Sequence, residues 1–117
     1  MPRSISLYLS DIQLAIADIQ RFTEGKSLDD YLQEPMLRAA VERKFSIIGE
    51  VMAQMRHHFP DTSQRLAHAR EIIDFRNLLM HRYLDVDDTV VWGVVAGSLL
   101  PFKSEIDAWA AELNIPG

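Results

Sequence analysis

The stretch that decides the fold is Pro35–His57, PMLRAAVERKFSIIGEVMAQMRH. Leu37, Val41, Phe45, Ile48, Met52 and Met55 recur at steps of three and four, the period of an α-helix that turns one face to a core. Ile47 and Val51 widen that stripe, so this helix is expected to be central. Pro35 suits its first turn, where the N–H that proline lacks would be unpaired anyway. Gly49 inside the helix costs roughly 1 kcal/mol relative to alanine, which points to close approach by another backbone.

The flanks continue the pattern. Upstream, Ile5, Leu9, Ile12, Ile16 and Ile19 draw an apolar stripe along a helix from about Ser4 to Thr23, which Gly25 ends, and Asp29, Asp30 and Tyr31 read as a short connection. Downstream, Phe59-Pro60-Asp61 is a break, and Thr62 or Ser63 can cap a third helix through Leu66, Ala69, Ile72, Ile73 and Leu79. The acids of Leu84–Asp88 supply turn and cap chemistry for a fourth helix with Val90, Val91, Val94 and Val95. These valines also suit a strand, but a single strand would have no partner elsewhere in the sequence. Pro101 predicts a kink or restart, followed by Ile106, Trp109 and Leu113 on one face. The fold class is all-α, an antiparallel bundle of four to five helices, and 117 residues make a single domain over residues 1–117.

Composition narrows the chemistry. Hydrophobic residues at 48% and charged residues at 25% suit a chain that folds around a core. With no cysteine, disulfides, thiolate metal sites and cysteine nucleophiles are all excluded. No charged leader with an apolar run precedes the first helix, and no apolar stretch is long enough for a bilayer, so a cytoplasmic protein without a membrane partner is expected. The net charge of −5 speaks against a phosphate ligand until its distribution is considered. From Arg38 to Arg82 there are eight Lys/Arg against five Asp/Glu, a local +3, so the remainder carries −8. All four histidines (57, 58, 68 and 81) fall in that segment. A solvated helix face explains this as well as a basic binding surface does.

Chemistry concentrates in Arg76-Asn77-Leu78-Leu79-Met80-His81-Arg82-Tyr83. In a regular helix Arg76 and Tyr83 would share a face while His81 pointed roughly 140° away, so convergence needs a helix that ends or tightens near Met80, or groups from two subunits. The arrangement Arg-x4-His-x-Tyr resembles the Arg-x4–6-His motif of HEPN ribonucleases, and more closely the form found in HepT-like toxins. Tyr8-Leu9-Ser10-Asp11-Ile12, Ile47-Ile48-Gly49-Glu50 and Asp87-Asp88-Thr89-Val90-Val91-Trp92 are similar to the same family, so the resemblance spans nearly the whole chain.

The resemblance implies a HEPN-type bundle acting as a homodimer, with a metal-independent endoribonuclease site in a cleft between the two copies and no cofactor. It implies catalytic roles for Arg76 and His81 and substrate-positioning roles for Asn77 and Tyr83. His81 can take a proton from a ribose 2′-hydroxyl near neutral pH, and Arg76 offers planar donors for the charge developing on phosphate. Tyr83 is further implied as the site at which a cognate nucleotidyltransferase antitoxin attaches AMP, blocking a groove meant for RNA. Arg82 stands where the family often has a small residue, which bears on local backbone shape while adding positive charge for RNA. Glu50 reads as a supporting group in an ion pair or hydrogen bond at the dimer cleft rather than as a catalytic acid.

Blander readings stand beside these. The trio of Arg76, His81 and Tyr83 also suits a hydrogen-bonded helix end, and the whole chain also suits a non-catalytic helical module that binds, and is modified by, a nucleotidyltransferase. A nucleotide-binding accessory domain would want a Gly-rich phosphate loop, which the sequence lacks. His57 and His58 favour a helix C-terminus over metal binding, because adjacent helical residues diverge. Met36, Met52, Met55 and Met80 are expected as core filler, and Trp92 and Trp109 as core or interface anchors.

Overall fold

The computed structural model describes residues 4–61, 65–68, 72 and 87–114. Within them the chain is helical, with α1 at Ile5–Thr23, α2 at Leu28–Gln33, α3 at Pro35–His58, α4 at Asp88–Gly93 and α5 at Leu99–Asn114. No strand occurs among the described residues, so Val90–Val95 are helical as expected. The central helix is α3. Its Leu37, Val41, Phe45, Ile48, Gly49, Met52 and Met55 are buried, and it packs along α1, which turns Leu9, Ile12, Ile16 and Ile19 inward. Helix α5 also packs on α1 and adds Phe102, Ile106 and Trp109 to the same core. Each such side chain contributes about 1.5–3 kcal/mol when taken from water, so helix–helix burial, not intrinsic propensity, holds the bundle.

Local chemistry sets the ends. The Ser4 hydroxyl accepts from the Leu7 N–H at the start of α1, and Gly25 takes φ +71°, a backbone state glycine reaches without strain, just after its end. Asp29, Asp30 and Tyr31 form a short helix rather than the plain connection expected. The signal was a capping box: Ser27 Oγ accepts from the Asp30 N–H at 3.2 Å, and Asp30 Oδ2 accepts from the Ser27 N–H at 2.9 Å. The Asp87 carboxylate caps α4 by accepting the Thr89 N–H at 2.9 Å.

Two further sequence expectations are corrected. The stretch around Leu66 is not continuous helix: Leu66 is non-helical and Ala67 and His68 form a turn, while Ile72 is helical. The caps expected at Thr62 or Ser63, and Met80, lie outside the described residues. Met36 is 87% exposed, since its position at the start of α3 precedes the packed stripe. At Pro101 the restart takes a specific form. Val94–Ser98 widens into a π-helical turn, with the Leu99 N–H donating to the Val94 carbonyl five residues back, and α5 begins directly after it. The wider turn gives room for a ring that cannot donate to the preceding turn.

Candidate functional site

Arg76, Asn77, His81, Arg82 and Tyr83 lie outside the described residues, so the structure gives the frame around the motif rather than the motif's own geometry. Glu50 is described. It is exposed on α3 and has no hydrogen-bond or ion-pair partner among the described residues.

The segment entering the motif is fastened to α5. Leu66 is buried in the core, the Arg65 guanidinium pairs with Glu112, and the same guanidinium lies 5.5 Å from the centre of the Trp109 ring. The Glu105 carboxylate takes three donors: the Ala67 N–H at 2.6 Å, the His68 N–H at 3.1 Å and His68 Nδ1 at 2.8 Å. A proton on His68 Nδ1 would donate to that carboxylate and orient the ring. The Ile72 N–H then donates to the His68 carbonyl at 3.3 Å, a helical spacing. Sequence reasoning missed this attachment because its partners stand 37 and 38 residues apart, and no local pattern links them.

The segment leaving the motif is fixed by Arg38 on α3. Its Nε lies 3.4 Å from Asp88 Oδ2, and its Nη1 donates to the carbonyls of Tyr31 and Leu32, so one cation joins the end of α2 to the start of α4. Tyr31 is fully buried against Trp92, with ring centroids 5.3 Å apart, and its hydroxyl has no hydrogen-bond partner among the described residues. Burial raises the Tyr31 pKa, with Glu42 and Asp88 adding to the effect, so the phenol stays neutral. Burial likewise raises the Glu42 carboxyl, Asp88 pushing the same way and Arg38 opposing.

Part of the basic excess of residues 38–82 is matched by acids from outside that segment. Arg38 meets Asp88, Lys44 meets Asp18 at 2.9 Å, and Arg65 meets Glu112. Arg43 and Arg56 are exposed on α3 without an ion-pair partner among the described residues. The His57 and His58 rings sit edge to face, 4.8 Å apart, at the end of α3, where cations suit the exposed carbonyls. No cluster of three metal-ligating side chains occurs among the described residues.

The family description "Ribonuclease HepT-like" matches residues 12–109, most of the chain and all of Arg76–Tyr83. The chain belongs to the HepT-like ribonuclease family. A Thermococcus cleftensis protein named "Probable ribonuclease HepT" is 32% identical over 107 residues, covering 92% of this chain and 96% of the relative. A Methanocaldococcus jannaschii protein named "Putative RNase" is 27% identical over 105 residues, covering 90% of this chain and 95% of the relative. A longer protein from the same archaeon, named "Gamma-glutamylcyclotransferase and putative RNase", is 29% identical over 114 residues, which are 97% of this chain and 51% of the relative. No solved structure matches the chain. The helical bundle agrees with the HepT-like resemblance drawn from Arg76, His81 and Tyr83, and no described helix is long and apolar enough to cross a membrane.

Proposed function

We propose that the chain is the toxin of a toxin–antitoxin pair, a metal-independent endoribonuclease that works as a homodimer in the cytoplasm. The observation that carries this reading is the family match over residues 12–109, which contains Arg-x4-His-x-Tyr in full, together with relatives of the same length named as ribonucleases. In the proposed reaction His81 takes the proton of a ribose 2′-hydroxyl as O2′ bonds to the adjacent phosphorus. The bond from phosphorus to O5′ breaks, and the departing oxygen receives a proton from the imidazolium. Arg76 stabilises the charge on the equatorial oxygens, and Asn77 and Tyr83 hold the phosphate and a neighbouring base. Arg82 adds attraction for the backbone, and Glu50 supports the cleft from α3.

Silencing follows from Tyr83. Its phenolic oxygen attacks the α-phosphorus of ATP on a partner nucleotidyltransferase, pyrophosphate leaves and the phenolic proton is lost. The tyrosine is left with a bulky anion where RNA would bind.

Purified protein is expected to cut RNA in the presence of EDTA, and His81→Ala to lose that activity. A His81→Ala protein that cuts as fast as the parent refutes the assigned base. A parent that gains AMP from the neighbouring nucleotidyltransferase and ATP, yet never cuts RNA, favours the non-catalytic module instead.

A further inference from the structure

Three helix starts are capped from nearby, by Ser4 for α1, Ser27 for α2 and Asp87 for α4, while α3 opens on Pro35 with no side-chain cap. A local cap stabilises its own turn wherever the helix goes. The turn at Ala67–His68 differs, because its two successive N–H groups are taken by a carboxylate on α5. An acceptor fixed to another helix stabilises the turn only in one position relative to that helix. Its own support is independent of the motif, since Asp107 on α5 accepts from Gln13 of α1 at 3.0 Å and pairs with Lys103 at 2.6 Å. In a helix Asp107 lies about 160° from Glu105, whereas Trp109 and Glu112 lie within about 40° of it. One side of α5 thus grips α1 while another grips the segment that leads into Arg76.

We propose that Glu105 is a positioning residue: it fixes where the Arg76–Tyr83 segment begins relative to the rest of the bundle. The inference rests on the reading of Arg76, His81 and Tyr83 as the reactive set. Its leverage comes from distance. Arg76 is eight residues beyond His68, and eight residues would span about 12 Å if helical. A tilt of roughly 10° at the start would carry a group at that distance sideways by about 2 Å. Misplacement of about 1 Å is enough to cost on the order of 100-fold in rate.

Glu105→Gln tests this. The amide offers one accepting oxygen in place of two and brings its own N–H groups toward the donors, so the three bonds cannot all survive. Nitrogen-15 spectra of the labelled protein should show the Arg76 and His81 side-chain signals and the amides of residues 76–83 displaced. The kcat for RNA should fall about 10- to 100-fold with KM within about twofold. Loss of folded protein alone would reduce intensities without moving these resonances. Glu105→Asp, which keeps the charge one methylene short, should displace the same signals, and it serves if the glutamine variant fails to fold. Lys103→Met, on the other side of α5, should leave them in place. If His68 signals move while those of residues 76–83 coincide with the parent, the proposal is wrong. If the parent cuts no RNA, the catalytic reading fails, and the spectra alone decide whether Glu105 positions the segment.

Discussion

Replacing Tyr31 by phenylalanine should make the protein more stable. The Tyr31 hydroxyl is buried with no hydrogen-bond partner among the described residues, and desolvating such a group without compensation costs about 1–3 kcal/mol in mutational data. Against that gain stands the loss of one oxygen's dispersion contacts, at about 0.1–0.2 kcal/mol per neighbouring atom and so somewhat under 1 kcal/mol altogether. The ring and its packing on Trp92 are kept. The net expectation is a gain of about 0.5–2 kcal/mol. With about 2.1 cal/mol/K of unfolding entropy per residue over 117 residues, each kcal/mol is worth about 4 °C in Tm. The variant should therefore melt roughly 2–8 °C higher. Because burial, Glu42 and Asp88 all raise the Tyr31 pKa, ionisation does not complicate the comparison at neutral pH. Urea unfolding at matched protein concentration should show a higher midpoint with an unchanged slope, which confines the effect to stability. A loss of about 1 kcal/mol or more, the worth of one hydrogen bond, would mean that the hydroxyl has a partner in solution and that the reasoning fails.

Ser27→Ala removes the acceptor for the Asp30 N–H and with it half of the capping box that holds α2, so it should cost about 0.5–2 kcal/mol in the same urea experiment. The Asp18 carboxyl is held below its ordinary 3.8, chiefly by the hydrogen bond from Lys44. Its stabilising effect is therefore complete above that value and disappears as pH falls through the lower, folded-state value. Lys44→Met should flatten the acid limb of a stability–pH curve in that window, and an unchanged limb would show that the pair does not persist in solution.

How much of this was legible beforehand follows the range of each interaction. The stripes of α1 and α3 were readable because helix periodicity is local, and each stripe repeats over five or six turns of α1 or α3. The identity of α2 was available in Ser27 and Asp30, three residues apart, but only to a reading that weighted the capping box above the acidic, turn-like composition around it. Pro101 announced a discontinuity without its form, because whether a chain bends, restarts or widens depends on what packs against both flanks. The candidate site divides in the same way. Arg76, His81 and Tyr83 could be singled out by their resemblance to the family's motif, whereas the Glu105–His68 attachment joins residues with no sequence relation to each other. Contacts of that kind are products of the tertiary fold.

The charge pattern gains a sharper meaning from these pairings. A local +3 between Arg38 and Arg82 suggested a basic surface on an acidic protein, yet Arg38, Lys44 and Arg65 each face an acid from outside the segment. Those three cations spend their fields holding α4, α1 and α5 in place, and an ion pair presents little net charge to a distant phosphate. Attraction for an RNA backbone would then come from cations without an ion-pair partner among the described residues, such as the exposed Arg43 of α3. The same side of α3 carries Glu50, seven residues from Arg43, so the two side chains lie on one face of the helix. A phosphate chain crossing that face would meet one favourable and one unfavourable charge. Arg43→Gln should therefore weaken RNA binding and reduce its salt dependence by about one phosphate contact, while Glu50→Gln should strengthen binding. Equal binding by all three proteins across a salt titration would place the RNA path elsewhere on the molecule.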